Sequence, residues 1–186
     1  MLEAEIKAAL EGRTLEELEA AARALGYRPR SVLRETDLYF NGETRDFAAA
    51  GEALRLRTCE TEGAGTEVLL TFKGPKQDRR SNSRTEYETA VEDGEIACRI
   101  LEALGFHPVC RVEKVRRELF LGDVTLCLDQ VEGLGDFLEL EILCAEEERE
   151  AAVDRLLAAL DDLGVCRSAL ERRSYLTMLL EKGKNS

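Results

Sequence analysis

Hydrophobic and polar residues along this chain alternate in two registers. Period-two stretches, which bury one face of a strand, run over about residues 2–9, 34–40, 52–60, 66–73, 83–91, 110–121, 123–132 and 136–144. Helical spacing is clearest over about 14–25, 94–104, 146–163 and 168–182. Thr14 with Glu17, and Ser168 with Glu171, have capping-box spacing, so each predicts a helix start. Leu25-Gly26-Tyr27, Leu104-Gly105-Phe106 and Leu163-Gly164-Val165 predict helix stops, with glycine taking the left-handed turn and the next apolar residue folding back. The order repeats: a charged strand, a helix, a Leu-Gly stop, then three strands. This predicts an α+β fold, an eight-stranded, largely antiparallel sheet with helices outside. One domain over residues 1–186 is expected, with the helices of about 146–182 packed on the sheet. The polar run from Lys76 to Ser83, between the two halves, is expected to be mobile.

The polar faces of these strands carry charge in a sorted way. Residues i, i+2 and i+4 share a face, so Glu3, Glu5 and Lys7 lie together, opposite Leu2, Ala4 and Ile6. The same spacing groups Arg55 with Arg57, Arg84 with Glu86 and Glu88, Lys114 with Arg116, and Glu139 with Glu141, while Lys73 and Asp129 lie on strands of their own. For any one strand, a solvated face explains this. Together, carboxylate pairs fall on the first, fifth and eighth strands and cation pairs on the third and sixth. If the sheet closes, that face becomes the lumen of an eight-stranded barrel, with room for side chains or one small ligand. Buried charges of both signs are costly unless they meet each other, metal ions or a ligand. A polyphosphate fits: arginine and lysine bind its oxygens while carboxylates hold magnesium or manganese bridging the same oxygens.

Composition narrows the field. The 186 residues carry 38 acids and 26 bases, a formal charge of −12, which argues against a nucleic-acid polymer or an anionic membrane as partner. The stretch Ala103 to Cys110, the longest without a charge, is too short for a membrane helix, and no leader pattern opens the chain, so a cytoplasmic location is expected. The six cysteines form no C-x-x-C pair and read as small buried hydrophobes in a reducing compartment. His107, the single histidine, precedes Pro108 in an expected loop, which excludes histidine-rich metal sites and Ser-His-Asp catalysis. Tyr39, Phe40, Phe72 and Tyr87 read as packing residues, and no adenine pocket is announced.

At this point the motifs resemble a known family. Glu3-x-Glu5-x-Lys7, Arg55-x-Arg57, Lys73-Gly74-Pro75, Arg84-x-Glu86-x-Glu88, Lys114-x-Arg116, Asp129 and Glu139-x-Glu141 are similar, in order and spacing, to the CYTH superfamily of triphosphate tunnel metalloenzymes. Asp37-x-Tyr39-Phe40, Leu134-Gly135-x-Phe137-x-Glu139-x-Glu141 and Ser174-Tyr175-Leu176 resemble its class IV adenylate cyclase branch most. The resemblance implies an eight-stranded antiparallel tunnel that binds a triphosphate with Mg²⁺ or Mn²⁺. Glu3, Glu5, Glu139 and Glu141 would be its main metal ligands, and Lys7, Arg55, Arg57, Lys73, Arg84, Lys114 and Arg116 its phosphate ligands. Glu86, Glu88 and Asp129 would orient the cations, position a second metal or manage a proton, with Lys7 beside them in the catalytic set.

Four functions stay open on this reading. The first is cyclisation of ATP to cyclic AMP and pyrophosphate. The second is hydrolysis of tripolyphosphate or of a nucleoside or thiamine triphosphate. A non-catalytic polyphosphate sensor and an acidic structural protein are the others. The stripe Leu170, Tyr175, Leu176, Leu179 caps a tunnel mouth or forms a homodimer contact. The seven acids and seven bases assigned to the lumen cancel, which places the whole −12 outside it.

Overall fold

The computed structural model describes residues 2–61, 63–76 and 80–184. Among them the eight strands follow the expected order, with one short helix, α2, that the sequence does not announce: β1 (Leu2–Ala9), α1 (Leu15–Ala24), β2 (Arg28–Gly42), α2 (Phe47–Ala50), β3 (Ala53–Thr61), β4 (Gly65–Lys73), β5 (Arg84–Val91), α3 (Gly94–Ala103), β6 (Phe106–Leu121), β7 (Val124–Val131), β8 (Gly135–Cys144), α4 (Arg149–Asp162) and α5 (Tyr175–Lys184). The strands form a closed antiparallel barrel in the order β1-β5-β4-β3-β2-β6-β7-β8, with β8 pairing back onto β1. Exchanging β1–β4 for β5–β8 returns the same ring. The repeat of strand, helix and three strands is therefore also a repeat in space.

Most apolar residues of the strands face outward, beneath the helices, while Tyr39, Val112, Val131 and Phe137 pack with Tyr175 and Met178 of α5. Leu2, Ala4, Ile6 and Ala8 of β1, with Leu126 and Leu128 of β7 and Leu138, Leu140 and Ile142 of β8, pack against Leu15 and Leu18 of α1 and Val153, Leu156 and Leu160 of α4. A second cluster puts Phe47 of α2 and Leu101 of α3 against Phe40, Leu54 and Leu56. Each buried leucine contributes about 2 kcal/mol by leaving water. Those contacts hold the barrel from outside and leave its interior to the charged residues. The Thr14–Glu17 capping box starts α1, with both reciprocal hydrogen bonds present. Gly26, Gly105 and Gly164 all take positive φ after their helices, as the Leu-Gly stops require.

Several expectations need correction. β2 and β6 are 15 and 16 residues long, and they pair from Arg28–Phe120 to Gly42–Phe106. His107 is therefore a strand residue, opposite Asn41. Ser168 caps no helix: 167–169 is a 3-10 turn, Leu170 bridges Ala8 of β1, and the Glu171 N–H donates to the Lys7 carbonyl at 2.8 Å. α5 starts at Tyr175 instead, where the Ser174 hydroxyl accepts from the Thr177 N–H at 3.1 Å. Local spacing favoured a helix there, and pairing with β1 overrides it. In the run expected to be mobile, residues 77–79 lie outside the described residues, while Ser81, Asn82 and Ser83 are buried. Tyr87 is 68% exposed, covering Phe72 with a stacked ring rather than entering a core. Of the cysteines, Cys127 and Cys144 are buried and Cys166 is exposed. No described helix is long and apolar enough to cross a membrane.

Candidate active site

The barrel encloses a cavity of about 220 Å³ lined almost wholly by charged side chains. Thirteen of the fourteen site residues named from the sequence line it: Glu3, Glu5, Lys7, Arg55, Arg57, Lys73, Arg84, Glu86, Glu88, Lys114, Arg116, Glu139 and Glu141. Asp129 lies behind Arg116, fully buried, and touches the cavity only through its partners.

Strand register decides who meets whom. Asp37 lies opposite Arg57, Glu35 opposite Lys114, Arg116 opposite Asp129, Lys73 opposite Glu86, and Lys7 opposite Glu139. Each of these cross-strand pairs joins opposite charges. Glu5 opposite Glu141 joins like charges, which register alone would make destabilising. Glu3 completes this group: one carboxylate oxygen from each of Glu3, Glu5 and Glu141 lies within 4.8 Å of the others. Burial and the neighbouring carboxylates push Glu5 above the usual carboxylate range and Glu141 well above it. Lys73 lies 3.6 Å from Glu3 and Arg116 3.6 Å from Glu141, yet three converging carboxylates still fit a divalent cation, a hard ion that takes oxygen ligands. Glu139, expected in the metal set, lines the same cavity but is not one of the three converging carboxylates. Its carboxylate accepts from Arg116, with Lys7 3.9 Å distant, and although burial opposes ionisation these cations hold it far below its ordinary range.

The cations are held by an outer ring of carboxylates. Arg57 donates to Asp37 through Nε at 2.6 Å and Nη2 at 2.8 Å, and to Glu35 at 3.1 Å. Arg55 reaches Asp37 at 3.1 Å. Burial alone would raise both acids, but the guanidiniums and Lys114 outweigh it and hold Glu35 down to about 2 and Asp37 lower still. Arg116 makes a two-pronged contact with Asp129 at 2.8 and 2.7 Å. Burial and Arg116 push Lys114 down, yet Asp129 and Glu35, at 3.4 and 3.1 Å, keep it above its usual range. Arg55 Nε is buried without a hydrogen-bond partner among the described residues, a donor left for a ligand.

Glu35, Asp37 and Glu118 line the cavity beyond the expected set, as do Asn82 and Tyr175. Glu35-x-Asp37 has the same period-two signature as the other strands, so its signal was present in the sequence. Tyr175 enters through the family resemblance and the stripe that caps a tunnel mouth, whereas Asn82 has no signal, because its place depends on a chain crossing far away in sequence. A larger cavity of about 760 Å³ adjoins the tunnel and shares Tyr39, Lys73, Arg84 and Ser174 with it. Its walls mix cations such as Lys76 and Arg172 with apolar surface from Ala48–Gly51, Leu176 and Leu180.

Comparison with known proteins matches this architecture. The CYTH domain family model matches residues 1–175. A Methanocaldococcus jannaschii protein is 34% identical over 181 residues, covering 96% of this chain and 98% of its own. The adenylate cyclase CyaB of Aeromonas hydrophila is 32% identical over 149 residues, covering 78% of this chain and 72% of its own. The solved structure of the PH1819 protein of Pyrococcus horikoshii superposes with a TM-score of 0.88 at 37% identity, covering 97% of this chain and 99% of that one.

Proposed function

The chain belongs to the CYTH domain family, and from that premise we propose that it is a divalent-metal-dependent enzyme that converts ATP to cyclic AMP and pyrophosphate in its tunnel. The observation that carries the metal-dependent triphosphate part of this reading is the like-charged Glu5–Glu141 pair, joined by Glu3, in a cavity lined by buried cations. Glu3, Glu5 and Glu141 would hold Mg²⁺ or Mn²⁺, which when bound offsets phosphate charge and polarises the reacting phosphoryl group. Lys7, Arg55, Arg57, Lys73, Arg84, Lys114 and Arg116 grip the triphosphate, with the outer carboxylates fixing their geometry before substrate arrives. The adjoining cavity falls within the size range of small-molecule pockets and offers apolar surface beside the cations, which suits a nucleoside.

Cyclisation forms a bond from the ribose 3′ oxygen to the α-phosphorus and breaks the bond from that phosphorus to the bridging oxygen, which leaves with pyrophosphate. The hydroxyl proton needs an acceptor. Asp129 is committed to Arg116, Lys114 and Tyr175, and Glu86 to Lys73 at 2.5 Å. Glu88, which accepts one hydrogen bond from Thr71 and is partly exposed at the tunnel wall, is the remaining candidate.

The same tunnel contacts serve hydrolysis, because the charged cavity alone suits an inorganic triphosphate. Incubating the protein with Mg²⁺ or Mn²⁺ and either ATP or tripolyphosphate separates the two. Cyclic AMP with pyrophosphate is the expected product from ATP, and orthophosphate alone would sink the cyclase reading.

A further inference from the structure

Tyr175, the first residue of α5, is 6% exposed and reaches into the end of the tunnel from outside the barrel. Its ring rests edge-on against Phe137 of β8, with centroids 5.0 Å apart, and packs with Val131 and Met178. Its hydroxyl donates to Asp129 at 2.9 Å. The ring face is turned to the lumen, where the Lys7 ammonium lies 4.4 Å and the Lys114 ammonium 5.3 Å from its centroid. One phenol thus touches three members of the charged set, on three different strands.

The chemistry of that contact differs from an ion pair. A carboxylate holding an ammonium takes up its N–H donors and cancels its charge. An aromatic face attracts the cation through the ring quadrupole, without a lone pair or a charge that cancels it, and leaves the donors on the far side of the ammonium open. Lys7 needs such a holder. Among the described residues the acid paired with it is Glu139, 3.9 Å distant and already bonded to Arg116. Asp129 is shared with Arg116, so the phenol's hydrogen bond fixes the ring against the same carboxylate that sets the guanidinium.

We propose that Tyr175 is a positioning residue for the phosphate-binding cations: its ring face holds Lys7 in the lumen with donors free for phosphate, it lies against Lys114, which Glu35 and Asp129 already pair, and its hydroxyl locks the ring to Asp129. This rests on the reading of the tunnel as a triphosphate site. It also gives α5 a part in the site, beyond closing one end of the barrel.

The test uses the full chain with Mn²⁺ and tripolyphosphate as probe, with affinity read by calorimetry. Tyr175→Phe keeps the ring and loses the lock, with an expected fall of about threefold. Tyr175→Leu loses the ring, with an expected fall of about tenfold or more. Phenylalanines of increasing fluorination at position 175 keep the shape while weakening the ring quadrupole, so affinity should fall stepwise while the melting temperature holds. A role in packing alone would not respond to that series. Affinity that stays flat along the series, or a folded Tyr175→Leu protein that binds as the parent does, would overturn the proposal. The ε-methylene protons of Lys7 and Lys114 give a readout without ligand. Above a ring face they resonate upfield, and the shift should vanish in Tyr175→Leu. Ordinary shifts in the parent protein would overturn the contact itself. If the parent shows the shift yet binds neither tripolyphosphate nor ATP, it is the functional reading that fails, and the positioning role with it.

Discussion

At the scale of single residues, Glu35 and Asp37 show how a tunnel of arginines stays ordered. Arg55, Arg57 and Lys114 lie within a few ångströms of one another's partners, and without these two acids they would repel. Six of the seven cations are legible because each sits in a period-two charged motif, and Lys73 through Lys73-Gly74-Pro75, whereas Glu35 in its own period-two motif carries no such mark and Asp37 is marked only by the family resemblance. Their value lies in partners across the barrel, which no single strand reveals. Glu35 has its pKa held down to about 2, so its stabilisation is present above the ordinary carboxylate range and lost as pH falls from about 4.5 toward 2. Glu35→Gln leaves Arg57 and Lys114 short of a partner, and a loss of ~3 kcal/mol is expected at pH 7. Thermal melts across pH test this: the gap between parent and variant should be widest above pH 5 and close as pH approaches 2. A gap independent of pH would mean that Glu35 acts by packing, with its charge irrelevant.

At the scale of elements, the barrel is unevenly sewn. β2 and β6 pair over their whole length, while β1 and β5 meet at two residue pairs, Leu2–Thr85 and Glu3–Arg84. Two other segments close the gap. The Asn82 N–H donates to the Glu5 carbonyl at 2.8 Å, and its side chain bonds the Glu5 carboxylate and accepts from Lys76. Further along the same edge Leu170 and Glu171 pair with Ala8 and Lys7. Neither segment was legible as structure: one read as a polar linker and the other as a helix, because the force that orders them is the unpaired edge of β1, distant in sequence from both. The strands, α1 and its capping box were legible for the opposite reason, that their determinants are local. Asn82→Ala removes a buried side chain bonded to Glu5, Lys76 and the Glu171 carbonyl, and a loss of ~1–2 kcal/mol is expected. Hydrogen exchange locates the effect: the amides of β1 and of residues 170–172 should exchange faster while those of β2 and β6 stay protected. Uniform acceleration would show that the seam is no weaker than the rest of the barrel.

At the scale of the molecule, on the proposed reading of the tunnel as a triphosphate site, the balance of charge inside it would set the order in which ligands enter. Seven acids against seven bases made the lumen neutral, but Glu35, Asp37 and Glu118 add three carboxylates and no cation. The tunnel is therefore acidic in itself, and part of the overall −12 resides within it. A triphosphate brings roughly four further negative charges, and an acidic, largely buried cavity opposes it. Two divalent cations would reverse the balance. Thermal shift assays with each ligand alone and with both are the measurement: tripolyphosphate with chelator should stabilise little, Mn²⁺ alone by a few degrees, and the two together by more than their sum. Glu141→Gln isolates the cause. Removing one carboxylate from a like-charged pair should raise the melting temperature of the metal-free protein and sharply reduce the shift from Mn²⁺, while the cation wall stays intact. Equal stabilisation by tripolyphosphate with and without chelator would show that the cations alone offset the tunnel's acids, and the metal would then have to serve the reaction rather than binding.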